Sequence, residues 1–311
     1  MATDQRVHDT PRVSIVMPVL NCAEYLGDAI ESVLSQSLTC WELLIMDGVS
    51  NDGSVDVARG YRDQRIRISQ EPDEGIPHAW DKGVRRARGD HIALLCGNDA
   101  YMDKEFLMSC VDTMDSDPEV SLVWGVPCWL VGGEYSLNPR PWGQFAIHPE
   151  RIDWYQKQKW LANWLGTGVG FWDGGMCTRR EVYMKCMPPY ELGTGVQDKL
   201  FPFFYNFNTQ GYLPFGLPRV VSFYRLHGDN TFGTATDAIH LSVQDYARRV
   251  RRYRADLIAG RRVHVYRDGN GQPLGILRWP EQLTKESFFV TDGNGQLVDG
   301  TKQLETAFPR A

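Results

Sequence analysis

The chain lacks a long apolar run. No stretch of its 311 residues reaches the roughly 18 consecutive apolar residues that a membrane-spanning helix needs. Residues 1–12 are polar and contain no apolar signal core, so we expect a cytoplasmic protein. The 7 cysteines are odd in number, irregularly spaced and include no C-x-x-C pair. We therefore predict no zinc site and no disulfide framework, and expect mostly buried thiols.

Positive charge is not in excess either, and several catalytic motifs are missing. A formal net charge of -6 argues against a protein whose whole surface binds nucleic acid. No G-x-G-x-x-G follows the first predicted strand, which disfavours an ordinary dinucleotide-binding fold. The chain also contains no P-loop, no H-E-x-x-H and no G-x-S-x-G. The candidates for chemistry that remain are Asp and Asn residues at predicted strand ends.

The composition that is present is that of a globular protein. Hydrophobic residues make up 42% and charged residues 23% of the chain, which argues against a mainly disordered chain, a collagen-like fibre or a coiled coil. The length suits one large domain or two small ones. Tryptophan is abundant, and most of it falls in one stretch: Trp124, Trp129, Trp142, Trp154, Trp160, Trp164 and Trp172.

Strand-like and helix-like patterns alternate over the first hundred residues. We predict strands over residues 13–17, 41–46, 65–69 and 92–95, and helices over 26–34, 54–61 and 76–87. This alternation predicts a mainly parallel sheet covered on both faces. Ligands of such sheets bind beyond the carboxyl ends of the strands. The segments predicted at those ends are residues 18–21, 47–48 and 97–99.

Beyond residue 118 the alternation weakens. Helices are predicted over residues 178–187, 198–206 and 237–260, the last of them rich in arginine. Residues 268–272 (DGNGQ) recur as residues 292–296, and Asp-Gly and Asn-Gly pairs form hairpin turns, so we predict two hairpins. A calcium loop is the alternative, but the EF-hand spacing of acidic residues and the closing Glu are missing.

Two aspartates at strand ends have a functional and a structural explanation each. Asp47 can accept hydrogen bonds from a base or a ribose, and it can equally serve as a turn and helix cap. Asp99 suits Mg²⁺ or Mn²⁺, which commonly take one or two protein carboxylates together with phosphate oxygens. A simple turn explains Asp99 as well, so the residues alone leave both explanations open.

Five segments in register resemble family 2 glycosyltransferases, which have the GT-A fold. They are residues 14–21 (SIVMPVLN), 32–37 (SVLSQS), 44–54, 71–83 and 87–99. The resemblance implies an α/β fold with a mainly parallel central sheet flanked by helices, followed here by a C-terminal helix and β-hairpin extension. It further implies a nucleotide-sugar-binding half (1–117), an acceptor-binding and catalytic half of the same domain (118–235), and the extension (236–311).

The resemblance also implies roles for individual residues. Those expected around the nucleotide are Pro18, Val19, Asn21, Asp47, Asp73, Lys82 and Asn98. Asp99 and His227 are expected at the metal, Arg225 at the diphosphate, Asp198 as the catalytic base, and Trp172, Trp142 and Asp173 at the acceptor. His227 has a structural histidine as its alternative, and Asp198 a helix N-cap. The sequence departs from the family at Asn98, where a second Asp is common, so the metal affinity is expected to be lower.

The implied function is a metal-dependent, inverting sugar transfer using Mn²⁺ or Mg²⁺. The donor would be a nucleoside-diphosphate sugar, with UDP favoured because Asp47 suits uracil, although guanine and thymine stay open. The acceptor would be a hydroxyl of a glycan or lipid-linked molecule in bacterial-type surface polysaccharide synthesis. A sugar nucleotidyltransferase is a rival, but residues 18–21 lack its glycine-rich basic loop.

Two further alternatives concern activity and location. Asn98 supports an inactive carbohydrate-binding or scaffold protein that keeps the fold. The arginines of residues 248–262 form either a solvated face or a surface that docks on anionic lipid at the inner face of a membrane. Nothing in the sequence indicates an oligomeric state or a nucleic-acid partner.

Overall fold

A mixed sheet organises the chain in the computed structural model, which describes residues 10–137, 157–167, 173–192, 200–227, 236–277, 289–291 and 297–299. The strands described in this sheet are β1 (Val13–Val19), β2 (Trp41–Asp47), β3 (Ile66–Gln70), β4 (His91–Leu94), β5 (Ala100–Tyr101), β6 (Val120–Val131), β7 (Glu134–Ser136), β8 (Met176–Arg179) and β9 (Leu213–Leu226). Their order is β3-β2-β1-β4-β8-β6-β9-β5, and β7 pairs with β6.

Helices cover the sheet on both faces. The described helices are α1 (Ala23–Leu34), α2 (Ser54–Gly60), α3 (Ile76–Arg86), α4 (Phe106–Ser116), α5 (Lys157–Thr167), α6 (Arg180–Cys186), α7 (Leu200–Thr209) and α8 (Thr236–Ile258). One apolar cluster packs α1 and α4 against the sheet, and a second packs α3, α5, α6, α7 and α8 against it. This arrangement confirms the predicted α/β fold.

The first four strands form the parallel half that the sequence predicts. β1 pairs in parallel with β2 and with β4, and β2 pairs in parallel with β3. Every residue of β1 and β2 is buried, as expected for strands covered on both faces. β3 lies at the sheet edge, which explains its half-exposed side chains. The carboxyl ends of these strands therefore meet at one edge.

The other half of the sheet differs from the sequence prediction. β6 and β9 are long parallel partners, and neither was predicted as a strand. Pro127 lies within β6, and proline normally disfavours a strand. Gly125 leaves room for Val221 of β9 at a point where the register shifts.

One helix prediction was wrong at its start. Thr178 and Arg179 belong to β8, which runs antiparallel between β4 and β6, and α6 begins only at Arg180. Pairing with strands on both sides holds these two residues in a strand. The local sequence pattern carries no information about such pairing, so it could not predict it.

The long C-terminal helix is confirmed and belongs to the main core. α8 buries Val243, Tyr246, Val250, Tyr253 and Leu257 in the same cluster as α5 and α7. Among the helices described, none combines the length and the apolar content that crossing a membrane requires. The assignment of separate roles to residues 1–117, 118–235 and 236–311 stays a prediction.

Both predicted hairpins are present. β10 (Val265–Arg267) pairs with β11 (Pro273–Ile276), and β12 (Phe289–Thr291) pairs with β13 (Leu297–Asp299), both antiparallel. In the first turn the Asp268 Oδ1 atom accepts the amides of Asn270 and Gln272, at 2.9 and 2.7 Å. A carboxylate used in this way supports the turn rather than the calcium alternative. All seven cysteines are free thiols.

Four tryptophans of the rich stretch are buried, and Trp164 contacts residues of two other helices. Trp142, Trp154 and Trp172 lie outside the described residues, whereas Trp124, Trp129, Trp160 and Trp164 are at most 4% exposed. The Trp164 indole donates a hydrogen bond to the Tyr246 hydroxyl at 2.7 Å and packs edge-on against Tyr205 and Tyr253. It therefore joins α5, α7 and α8.

We expect Trp164→Ala to lower the free energy of unfolding by about 3–5 kcal/mol, because truncating a buried aromatic side chain leaves a cavity. The loss should appear in urea unfolding followed by circular dichroism. Leu241→Ala is the matched control, since Leu241 lies on α8 with 62% of its surface exposed. If Trp164→Ala lowered the free energy of unfolding no more than the control does, Trp164 would not join α5, α7 and α8 as described.

Candidate functional site

The carboxyl ends of β1, β2 and β4 are held together by backbone hydrogen bonds. Gly48 donates to the Val19 carbonyl at 2.9 Å, and Gly97 donates to the Pro18 carbonyl at 3.1 Å. A Cβ atom on Gly97 would lie 2.8 Å from the Cys22 sulfur, so only glycine fits there without displacement. The structure thus brings the three segments predicted at the strand ends to one edge.

Asp47 is the buried carboxylate at the end of β2. Its side chain is 1% exposed, and its Oδ2 atom accepts the backbone amides of Val49 and Ser50, both at 3.0 Å. Within the described part of the chain its Oδ1 atom has no hydrogen-bond partner. An unpaired buried carboxylate oxygen is costly, so the turn explains only one of the two oxygens. The other oxygen, Oδ1, could accept a hydrogen bond from an N–H or O–H group of a ligand.

The loops after β1 and β2 adopt unusual backbone conformations. Asn21 has φ of 50° and Val49 has φ of 70°, and a positive φ is rare for a β-branched residue. The two loops also hold each other, because Asn51 donates to the Asn21 side-chain oxygen and Asn21 donates to the Ser50 hydroxyl. Backbone strain that the surrounding structure maintains is often found at binding sites.

Asp52 and Ser54 support this edge, and the sequence interpretation gave neither of them a site role. Asp52 accepts the Ala23 amide at 2.8 Å and the Ser54 hydroxyl at 2.6 Å. Burial opposes ionisation of Asp52, but hydrogen bonds from Ser54 and from backbone amides outweigh it and lower the pKa of this carboxyl. The sequence signal for these two residues is the Asp-Gly-Ser run that follows β2 and precedes α2.

Cys22 lies beside the same edge but is not a nucleophile. Burial, reinforced by the nearby charge of Asp52, raises the pKa of its thiol to about 12. The thiol is therefore neutral near pH 7, which disfavours thiolate catalysis at this position.

Asp73, in the segment before α3, and Lys82, on α3, lie at the β2 side of this edge. A Cβ atom on Gly48 would lie 2.7 Å from the Asp73 Oδ2 atom, which places Asp73 at the end of β2. Asp73 Oδ1 accepts the Gly75 amide at 2.8 Å. Lys82 donates to the carbonyls of Glu71 and Pro72, at 3.2 and 3.0 Å. Lys82 thereby holds the segment that presents Asp73.

Asp99 and three other predicted site residues form one cluster. Asp99 is 2% exposed, and its Oδ1 atom accepts the backbone amide of Arg225 at 3.0 Å. The Arg225 guanidinium donates through Nε to the Asn98 carbonyl at 3.1 Å. The Asn98 amide nitrogen lies 2.8 Å from the His227 Nε2 atom. The end of β9 therefore lies against the turn that follows β4.

These residues fit a divalent cation only in a particular way. Among the described residues, no group of three or more His, Cys, Asp and Glu side chains could hold a metal ion. Mg²⁺ is often bound by one or two carboxylates plus substrate phosphates rather than by a cage of protein ligands. Asp99 fits that mode, with phosphate oxygens of a ligand completing the coordination. The His227 Nε2 atom already lies against Asn98, so coordination through that nitrogen would require His227 to give up this contact.

Three of the predicted site residues lie outside the described part of the chain, and Asp173 begins a short turn. Asp198, Trp142 and Trp172 lie outside the described residues. The backbone of Asp173 begins a short 3-10 turn, Asp173–Gly175, that precedes β8 and packs against β4, β6 and β9. Because β8 starts where β4 ends, this turn lies at the same edge of the sheet.

A contact at the start of α3 was not predicted. The rings of His78 and Tyr190 stack in parallel with their centroids 4.6 Å apart. The Tyr190 hydroxyl donates to Glu74 at 2.9 Å, and burial together with this carboxylate raises the pKa of Tyr190 to about 12. The contact ties residues 187–192 to the helix that follows Asp73. Nothing in the spacing of these residues along the sequence indicates it.

Comparison with known proteins gives a family match and several relatives. A family model described as Glycosyl transferase family 2 matches residues 14–186. TuaG of Bacillus subtilis, named for teichuronic acid biosynthesis, is 36% identical over 94 residues, which cover 29% of this chain and 37% of TuaG. Chondroitin synthase of Pasteurella multocida is 29% identical over 123 residues, 39% of this chain and 13% of that protein. The matched part is thus about a third or less of these relatives' own length.

Solved structures share the fold. The Staphylococcus aureus protein TarS (residues 1–349) in complex with UDP-GlcNAc aligns with a TM-score of 0.54 and 14% identity, over 76% of this chain and 66% of that one. The mannosyltransferase PcManGT of Pyrobaculum calidifontis, in complex with GDP-Man and Mn²⁺, aligns with a TM-score of 0.55 and 16% identity, over 77% and 65%. At such identities the likeness establishes the fold alone.

Proposed function

Because this chain belongs to glycosyl transferase family 2, we propose that it transfers a sugar from a nucleoside-diphosphate sugar, with UDP favoured, to a hydroxyl group of a glycan or lipid-linked acceptor. One observation carries the proposal. The Oδ1 atom of Asp47, which has no hydrogen-bond partner among the described residues, and the buried carboxylate of Asp99 lie at the same edge of the sheet. A base contact and a diphosphate contact are thus both available there.

The names of relatives support the biological setting. TuaG is named for teichuronic acid biosynthesis, and the Pasteurella relative is a chondroitin synthase. TarS was solved with UDP-GlcNAc. We therefore favour a UDP-sugar donor and an acceptor that is a growing surface polysaccharide.

We expect Asp47→Asn to weaken UDP binding by about 10- to 100-fold, because a hydrogen bond to a charged group contributes about 1.5–3 kcal/mol. The uracil imide N–H would lose its carboxylate partner. Isothermal titration with UDP, GDP and dTDP measures the loss and identifies the base. Asp56→Asn is the control, since Asp56 is exposed on α2. Unchanged UDP affinity in Asp47→Asn would argue against the base contact.

The proposed chemistry is a single displacement at the anomeric carbon of the donor. Asp198 is proposed to remove the proton of the acceptor hydroxyl as it attacks. Arg225 and His227, at the end of β9, would stabilise the charge that develops on the leaving diphosphate. A Mn²⁺ or Mg²⁺ ion bound to Asp99 would supply Lewis-acid stabilisation of the same diphosphate. One displacement inverts the anomeric configuration and needs no covalent nucleophile.

A donor screen tests the proposed function against its main rival. Nucleoside diphosphate released from UDP-, GDP- or dTDP-sugars in the presence of Mn²⁺ would support the transferase. The rival is a carbohydrate-binding protein that has kept the fold, which Asn98 favours. Ligand-induced stabilisation without any release of nucleoside diphosphate would favour that rival.

Docking on anionic lipid remains a proposal for residues 248–262. Several of these arginines make contacts with other residues of the chain. Arg249 lies 3.9 Å from the centroid of the Tyr205 ring, Arg254 donates to the Leu165 carbonyl, and Arg261 pairs with Asp256. These contacts favour the explanation of a mostly solvated, internally paired face. Sedimentation with anionic liposomes at low and physiological salt distinguishes the two.

A further inference from the structure

The first turns of α1 lie against the end of β9. The guanidinium carbon of Arg225 lies 4.5 Å from the centroid of the Tyr25 ring and 5.2 Å from that of Phe223. An Arg225 terminal nitrogen donates to the Asp28 carboxylate at 2.8 Å. Only 17% of the Arg225 side chain is exposed. The side chain is therefore ordered by α1 although it belongs to a strand nearly two hundred residues later in the chain.

The same tyrosine also contacts His227. The centroids of the Tyr25 and His227 rings lie 5.5 Å apart, with the ring planes tilted by 34°. His227 is held from its other side by Asn98. The Tyr25 ring of α1 thus contacts both Arg225, near the end of β9, and His227, which directly follows β9.

We propose that Tyr25 is a positioning residue that fixes Arg225 and His227 for the diphosphate of the donor. This inference rests on the proposed function, since it assigns the purpose of the contact to donor binding. Arginine has many rotamers, and ordering such a side chain at the moment of binding costs affinity. Because Tyr25 and Phe223 already enclose the guanidinium before the ligand binds, the side chain loses less conformational entropy on binding.

The position of Arg225 also matters for Asp99. The backbone amide of Arg225 donates to the Asp99 carboxylate, while its side chain packs on Tyr25. The same residue thus contacts α1 with its side chain and the buried carboxylate with its backbone. Asp28 contributes less, because its side chain is 65% exposed and exposed ion pairs are weak.

A double-mutant cycle on UDP binding tests the inference. The variants are Tyr25→Leu, Arg225→Ala and the double variant, with Tyr25→Phe as the matched control that keeps the ring face. We expect Tyr25→Leu to weaken UDP binding by about 3- to 30-fold, the range that cation–π contacts support. Tyr25→Phe should bind UDP like the wild type. In the Arg225→Ala background, Tyr25→Leu should cause a smaller loss than in the wild-type background, namely the part that its contact with His227 contributes.

Uridine binding, measured by competition in the same Mn²⁺-containing buffer, separates positioning from general damage. Uridine lacks the diphosphate, so its affinity should be the same in wild type, Tyr25→Leu and Tyr25→Phe. Equal losses for UDP and uridine would overturn the inference and indicate a merely structural role. The inference would also be overturned if the losses of the two single variants added fully in the double variant. It would be overturned as well if Arg225→Ala weakened UDP binding while Tyr25→Leu bound UDP as tightly as the wild type.

Failure of the proposed function itself would look different. In that case wild-type protein would either bind none of UDP, GDP and dTDP, or bind one of them without releasing nucleoside diphosphate from its sugar. If GDP or dTDP binds more tightly than UDP, the double-mutant cycle is measured with that nucleoside diphosphate and its nucleoside. The same outcomes then support or overturn the role of Tyr25.

Discussion

Asp99→Asn is expected to lower kcat/KM for sugar transfer by about 10²–10³-fold, the loss typical when a group that stabilises transition-state charge is removed. Asp99 is a carboxylate that is 2% exposed at the end of the sheet, and it accepts the Arg225 amide. Asparagine has the same shape and retains an oxygen for that amide, so the fold should persist. What disappears is the negative charge that would bind a divalent cation.

The measurement of Asp99→Asn needs a readout besides activity. Titration of Mn²⁺ in the presence of UDP should show weaker metal binding, while uridine binding stays unchanged. Asn98→Asp is the informative companion variant. It restores the second acidic residue common in the family and should tighten Mn²⁺ binding. Full transfer activity and unchanged Mn²⁺ affinity in Asp99→Asn would remove Asp99 from the proposed metal site.

Asp198→Asn is expected to lower kcat by about 10²–10⁴-fold, which is the usual contribution of a general base. The amide cannot accept the proton of the acceptor hydroxyl, whereas donor binding should change by no more than about twofold because the base acts on the acceptor. Asp198 lies outside the described residues, so this variant tests a prediction made from sequence resemblance alone.

The assay for Asp198→Asn compares kcat for transfer with the dissociation constant for UDP. Asp112→Asn is the control, since Asp112 is an exposed carboxylate on α4. If donor affinity fell as much as kcat, Asp198 would be assigned to the donor or the metal instead. Wild-type kcat would reject it as the base.

The parallel half of the sheet was predictable because its signals are local. β1, α1, β2, α2, β3, α3 and β4 follow from apolar periodicity and from the turn residues between them. The rule that parallel strands present their carboxyl ends at one edge then located Asn21, Asp47 and Asp99 together. That placement follows from the direction of the strands alone.

The second half of the sheet was not predictable in the same way. β6 contains a glycine and a proline, and both residues disfavour a strand when considered locally. β8 is held as strand by partners on both sides, which come from distant parts of the chain. Pairing energy from neighbouring strands therefore decided elements that local preference did not.

Sequence by itself determined the family and the α/β pattern, and it predicted which residues would bind a nucleoside diphosphate. Only the tertiary structure decided how these residues are held. It left one oxygen of Asp47 unpaired within the described chain and bonded the other to the turn. It placed Arg225 on Tyr25, and Asn98 beside His227. The physical reason is that contacts between residues far apart in the chain depend on strand order and helix packing, which no local pattern encodes.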